Sequence, residues 1–232
     1  MTPSQGEQAQ GEHGRLRIRS FTGGAFSENA YLVSCEATGE AAVVDPGAAV
    51  GELLAAAEGE GLTITAVFLT HAHLDHVEGL PELRQSVDAP IYLHPADRPL
   101  YDRAAQQAEA FGLRFPAPLP EPDRVFEPGS SVQVGEVELE VRFTPGHAPG
   151  HVILFAPSEG AALVGDVVFA GSIGRTDLPG GDMQQLLASI RREILSLPDE
   201  VRLYPGHGPA TTVGRERTGN PFLISQAPGT WA

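Results

Sequence analysis

Seven side chains suited to binding metal fall in four short stretches of this chain. The densest is Thr70-His71-Ala72-His73-Leu74-Asp75-His76, with three imidazoles and a carboxylate within six residues. Histidine nitrogen and carboxylate oxygen are the donors that hold zinc or iron where thiolate is lacking. Cys35 is the single cysteine, so neither a thiolate cluster nor an intrachain disulfide can form. In an extended segment His71, His73 and Asp75 point to one side and His76 to the other. A turn at this point could therefore feed two neighbouring metals from one loop.

Three further stretches repeat one design, an apolar run, then small or turn residues, then a ligand-type side chain. Glu136–Phe143 leads into Thr144-Pro145-Gly146-His147, Ala161–Val164 into Gly165-Asp166, and Arg202–Tyr204 into Pro205-Gly206-His207. If the runs are strands of packed sheets, their C-terminal ends gather at one edge, where open α/β folds place their sites. Glycine ahead of the ligand lets backbone approach without a Cβ in the way. A lone histidine carries little meaning, but beside the His71–His76 cluster His147 and His207 read as ligands. Asp166 reads as a carboxylate able to bridge two ions.

Other candidates have plainer readings. Asp45, before Pro46-Gly47, is a turn residue that could orient a ligating histidine. His94, ahead of Pro95, starts a helix, and His13 belongs to the tail. His151 opens a strand and is expected to hydrogen-bond the metal loop rather than touch metal. Arg175 follows Gly171-Ser172-Ile173-Gly174 and could meet a substrate carboxylate bidentately; an ion pair with Asp177 is the competing reading.

The elements needed to position these residues follow from periodicity. Residues 1–14 are polar and aperiodic and read as a disordered tail. Strands are expected from Leu16, over Ala30–Ser34 and Ala41–Val44 as a hairpin, and at Ala66–Leu69 and Ile91–Leu93. More follow at Ser131–Val134, Glu136–Phe143, His151–Ala156, Ala161–Val164 and Arg202–Tyr204. Along Gly135–Phe143, Val137, Leu139, Val141 and Phe143 share one side. Helices are expected over residues 48–60, Glu78–Ser86, Pro95–Phe111 and Met183–Ser196, and the Pro-rich stretch Gly112–Pro128 reads as a surface connection. No linker interrupts the mixture, so residues 15–232 read as one α/β domain.

Composition narrows the function further. The net charge is −15, which argues against nucleic acid and anionic membranes as partners. All 15 basic residues are arginine, which removes lysine nucleophiles, Schiff bases and phosphate-loop lysines. The N-terminus lacks the pattern of a signal peptide, and no apolar stretch reaches the ~18 residues that span a bilayer. A cytoplasmic protein is expected.

The order His-x-His-x-Asp-His, then His147, Asp166 and His207, resembles the metallo-β-lactamase superfamily over about residues 16–222. That resemblance implies a four-layer αβ/βα sandwich of two mixed sheets with helices on both outer faces. It also implies two divalent metals, zinc first, with iron or manganese as alternatives. His71, His73 and His147 would hold one, Asp75, His76 and His207 the other, with Asp166 bridging. Within the superfamily, the stretch from Gly165 to Asp177, Tyr204-Pro205-Gly206-His207-Gly208-Pro209 and Asn220-Pro221-Phe222 look like the glyoxalase II-type branch. Those enzymes hydrolyse thioesters such as S-lactoylglutathione, and the longer ones carry a C-terminal helical domain and lysines at the glutathione site. This chain has no lysine and ends ten residues after Phe222, as in a short form of that branch.

The implied chemistry is attack of a metal-generated hydroxide on a thioester carbonyl, with Asp75 as the catalytic carboxylate that orients or accepts the proton of the water. The expected partner is a small-molecule thioester. A persulfide dioxygenase with mononuclear iron shares much of the same pattern and is the alternative. A phosphodiesterase or β-lactamase fits less well with the acidic charge and the lack of an export signal.

Overall fold

The structure, a computed structural model, describes residues 15–127 and 129–224. The expected tail over residues 1–14, with His13, lies outside the described residues.

One sheet has the spatial order β1 (Leu16–Gly23), β2 (Glu28–Cys35), β3 (Glu40–Val44), β4 (Thr63–Phe68), β5 (Ile91–Leu93) and β6 (Arg124–Val125). The first three strands pair antiparallel and the rest parallel. The second sheet is built from β7 (Ser131–Val134), β8 (Val137–Phe143), β9 (Val152–Ala156) and β10 (Ala161–Gly165). A small hairpin, β11 (Val168–Phe169) with β12 (Ser172–Ile173), precedes its last strands β13 (Arg202–Pro205) and β14 (Thr211–Thr212). Its order is β14-β13-β10-β9-β8-β7, with only β10 and β13 parallel.

Period-two alternation explains the layers. Along β2, Ala30 and Leu32 face α1 (Val50–Gly59) and the other helices outside the first sheet, while Tyr31, Val33 and Cys35 face the second sheet. Along β9, Val152 and Leu154 face inward, and Ile153 and Phe155 meet the opposite helix layer. Strands covered on both faces must be apolar on both, and β9 is buried at every position. The first sheet is covered by α1, α3 (Leu80–Ser86), α4 (Arg98–Tyr101) and α5 (Ala104–Ala110), after the single turn α2 (Leu74–Val77). The second is covered by α6 (Met183–Ser189), α7 (Val213–Gly219) and α8 (Pro221–Ile224). The result is the expected four-layer sandwich.

Several local expectations are corrected. Pro95–Phe111 is not one helix but a 3-10 turn at Pro95–Asp97 followed by α4 and α5; Pro95 and Pro99 can start turns but cannot extend one. The helix expected over Met183–Ser196 passes into a π turn at Ile190–Ile194. The Pro-rich connection contributes the short edge strand β6. Phe143 shares a side of β8 with Val137, Leu139 and Val141 but, at the strand's end, is 39 % exposed and stacks on His94 at 4.5 Å. The His71–His76 segment is extended only as far as His73, because α2 begins at Leu74. Asp75 and His76 therefore diverge around a helical turn rather than across a strand.

Candidate metal centre

Five strands end at one edge of the sandwich, and each delivers a polar residue there. β3 ends at Asp45, β4 runs into His71–His76, β8 into the loop of His147, β10 into Asp166 and β13 into the loop of His207. Asp45 sits in the left-handed region at φ 51°, a conformation Asp tolerates better than most residues. It turns its carboxylate back into the edge, where Oδ1 accepts the Thr70 N–H at 2.7 Å.

Hydrogen bonds fix which nitrogen of most of these rings is left bare. His71 Nδ1–H donates to Thr70 Oγ1 at 3.0 Å, and that hydroxyl donates to Asp45 Oδ2 at 2.6 Å. His76 Nδ1–H donates to the same Asp45 oxygen at 3.1 Å. His147 Nδ1–H donates to the Arg175 carbonyl at 2.7 Å, and His207 Nδ1–H to the Phe26 carbonyl at 3.1 Å. In each case Nε2 is the nitrogen that faces the centre, the arrangement by which proteins orient metal-binding imidazoles. Asp45, His71 and His76 also lie close enough to share an ion, but these bonds already occupy Asp45, so its role is to orient.

The seven sequence candidates come together. His71, His73 and His147 form one group that could hold a metal, and Asp75, His76 and His207 another. His147 Nε2 lies 2.8 Å from His73 Nδ1 and 3.3 Å from His71 Nε2. Asp166 stands between the groups, with Oδ1 3.4 Å from His76 Nε2 and Oδ2 3.4 Å from both His147 Nε2 and His207 Nε2. Asp75 Oδ2 is 3.3 Å from His207 Nε2. His76 Nε2 and Asp166 Oδ1 are buried without a hydrogen-bond partner. Buried polar atoms rarely stay unpaired, and a cation satisfies such a set of converging lone pairs, so these residues fit a metal.

Electrostatics divide the centre. Burial pushes His71, His73 and His147 below the usual histidine value, His73 to about 3, with neighbouring imidazoles adding to the effect at His71 and His73. Burial works against charge at His76 and His207 as well, but Asp166 and Asp75 outweigh it and raise both, His207 to about 10. Asp166 is held well below the carboxylate range despite its burial, chiefly by His76 and by hydrogen bonding to His207.

His151 has no nitrogen to spare: Nε2 accepts the Asp166 N–H at 3.0 Å and Nδ1–H donates to Thr144 Oγ1 at 3.0 Å. His94 caps the 3-10 turn, accepting the Ala96 N–H. The Arg175 guanidinium is bidentate on Asp177 at 2.7 and 2.8 Å. The centre opens into a cleft of about 140 Å³, walled by Phe26, Leu74, Phe111, Arg175 and Leu178.

Two residues of the centre escaped the sequence reading. Glu28 is fully buried with its nearer oxygen 3.8 Å from His76 Nδ1, and burial raises its carboxyl well above the usual range. Asn29 donates from Nδ2 to the Pro205 and Gly208 carbonyls at 3.0 and 2.9 Å, pinning the His207 loop to β2. The available signal was a Glu-Asn pair opening an otherwise apolar run.

Comparison with known proteins agrees with this geometry. The family model described as "Metallo-beta-lactamase superfamily" matches residues 23–207. The hydroxyacylglutathione hydrolase GloC of Haemophilus influenzae is 37% identical over 206 residues, covering 88% of this chain and 96% of the relative. The probable metallo-hydrolase YqgX of Bacillus subtilis is 35% identical, covering 90% and 98%. A crystal structure of TTHA1623 in a di-iron-bound form is similar, with 45% identity, a TM-score of 0.81 and coverage of 89% and 100%. Fold, ligand-type side chains and family model all agree: the chain belongs to the metallo-beta-lactamase superfamily.

Proposed function

We propose that the chain is a metal-dependent thioester hydrolase acting on S-lactoylglutathione or a similar hydroxyacyl thioester. The observation that carries this reading is the cleft lining: among the described residues its only acids are Asp75 and Asp166, and both belong to the proposed ligand set. A thiolate departs without being protonated, whereas the amine of an amide needs a general acid. A site without a spare acid suits the thioester. The similarity to GloC, named a hydroxyacylglutathione hydrolase, supports the same substrate class.

His71, His73 and His147 would hold one divalent ion and Asp75, His76 and His207 a second, with Asp166 between them. Zinc is the proposed metal, and iron is the alternative that the di-iron relative supports. Bound there, the ions supply Lewis acidity toward the carbonyl and make hydroxide available at neutral pH. Asp75, on the cleft wall, orients the attacking water and takes up its proton. Asp45, the Arg175 carbonyl and the Phe26 carbonyl keep the imidazoles aimed throughout. The Arg175 side chain meets a substrate carboxylate by exchanging it for Asp177.

The test is loss of S-lactoylglutathione under nitrogen, with and without a chelator. Chelator-sensitive hydrolysis in the absence of oxygen is the expected result. No hydrolysis, together with oxygen uptake on a persulfide and a single bound iron, would replace this reading with a dioxygenase.

A further inference from the structure

Asp97 lies outside the ligand set, yet it joins two of the ligand loops. It ends the 3-10 turn after β5 and is completely buried. Its Oδ2 accepts the Ala72 N–H at 2.9 Å and its Oδ1 accepts the Gly150 N–H. Burial pushes the carboxyl up to about 6, opposed among the described residues by these two backbone bonds and by no charged neighbour. A buried acid without a cation is unusual, and it persists only where its acceptors are fully used.

The two N–H groups occupy informative places. Ala72 stands between His71 and His73, and Gly150 follows His147 by three residues. One carboxylate thus spans the two loops that carry all three imidazoles of the first group. Gln107 completes the grip from the same chain segment, donating to the Ala72 carbonyl at 3.1 Å while its own carbonyl accepts the Leu74 N–H at 3.2 Å. Position 150 suits glycine, because a Cβ there would stand 2.6 Å from the Asp97 nitrogen and 2.8 Å from its Cβ. The second group is held by other means: His76 by Asp45, and the His207 loop by Phe26 and Asn29.

We propose that Asp97 is a positioning residue that fixes the spacing of the two loops bearing His71, His73 and His147, and with it the metal affinity of the three-imidazole half. The proposal rests on reading those residues as ligands, but not on the bond that the enzyme cleaves.

The test is Asp97→Asn in the full chain, which preserves size but can accept only one of the two N–H groups. Cobalt(II) is the probe, followed by its visible spectrum and by competition with a chelator. His147→Ala and His207→Ala serve as references for loss of one ion or the other. Asp97→Asn should lower the affinity of one ion roughly 10–100-fold, as expected for losing a group that orients ligands. Its spectrum should move toward that of His147→Ala while the other ion stays bound as in wild type. Equal weakening of both ions, or two ions bound with wild-type affinity, would overturn the proposal. Gly150→Ala presses on the same contact from the opposite side, should show the same selectivity, and is read if Asp97→Asn does not fold. In the unmodified protein, amide exchange at Ala72 and Gly150 should be slow and matched, and rapid exchange at either would also overturn it. A wild-type chain that takes up no metal removes both the ligand reading and this proposal, whereas a failed thioester assay leaves it standing.

Discussion

The two halves of the metal centre share Asp166 but are made of opposite materials. His71, His73 and His147 form a buried pocket of three imidazoles whose proton affinity is depressed. Asp75, His76 and His207 form an acid-rich pocket whose two imidazoles bind protons more tightly than usual. Near pH 7 the first half presents bare lone pairs, whereas the second holds protons that an incoming cation must displace. Similar side chains a few ångströms apart are thus tuned in opposite directions by where the carboxylates sit.

The largest expected effect comes from breaking the second half at its carboxylate. Asp75→Ala should lower thioester turnover by roughly 10²–10⁴-fold, the range for a proton-transfer group, with an added loss from the missing ligand. Near-wild-type steady-state rates in that variant would end the assignment. Next are the selective removals: His147→Ala should leave one ion per chain, and so should His207→Ala, with different residual cobalt spectra. Identical spectra would mean that the halves are not separate sites. Asp45→Asn removes an acceptor used by His76 and, through Thr70, by His71. It should weaken metal binding about 10–100-fold, with both ions affected, as read by competition with a chelator.

The smallest effect is on the metal-free protein and follows from proton linkage. His207 has a folded value of about 10 against 6.5 for an ordinary histidine, so its contribution is complete below about pH 6.5 and is lost as pH rises through 10. His73 has a folded value of about 3, so its contribution is present above 6.5 and is lost as pH falls toward 3. Thermal unfolding of chelator-treated protein should therefore peak near neutral pH. His207→Asn should make the alkaline side less steep, with His76 keeping part of it, and should shift the acid side as well because Asp166 loses a hydrogen-bond partner; an unchanged alkaline side would show that His207 does not hold the extra proton.

The division between the halves was only partly visible in the sequence. The strand-then-ligand design located His147, Asp166 and His207, because apolar alternation and a following Pro-Gly or Gly are local signals. It also exposed the Asp45 turn, whose neighbours Pro46 and Gly47 announce it. The helical turn that separates Asp75 from His76 was not visible, since Leu74–Val77 is a single turn set by its packing. Glu28 and Asp97 carry no motif either. Asp97 acquires its role from Ala72 and Gly150, 25 and 53 residues away, and no periodicity encodes contacts at that range. The broken helix before Phe111 is different, because Pro95 and Pro99 were in plain view and each marks the start of a new turn.

His147 and His207 are locked not by side chains but by the carbonyls of Arg175 and Phe26, and the side chains of those two residues line the cleft. Any amino acid supplies a carbonyl. Mutation at either position can therefore redraw the mouth of the cleft while the imidazole behind it keeps its tautomer and aim. A lineage built this way is free to exchange substrates without passing through a form that has lost its metal.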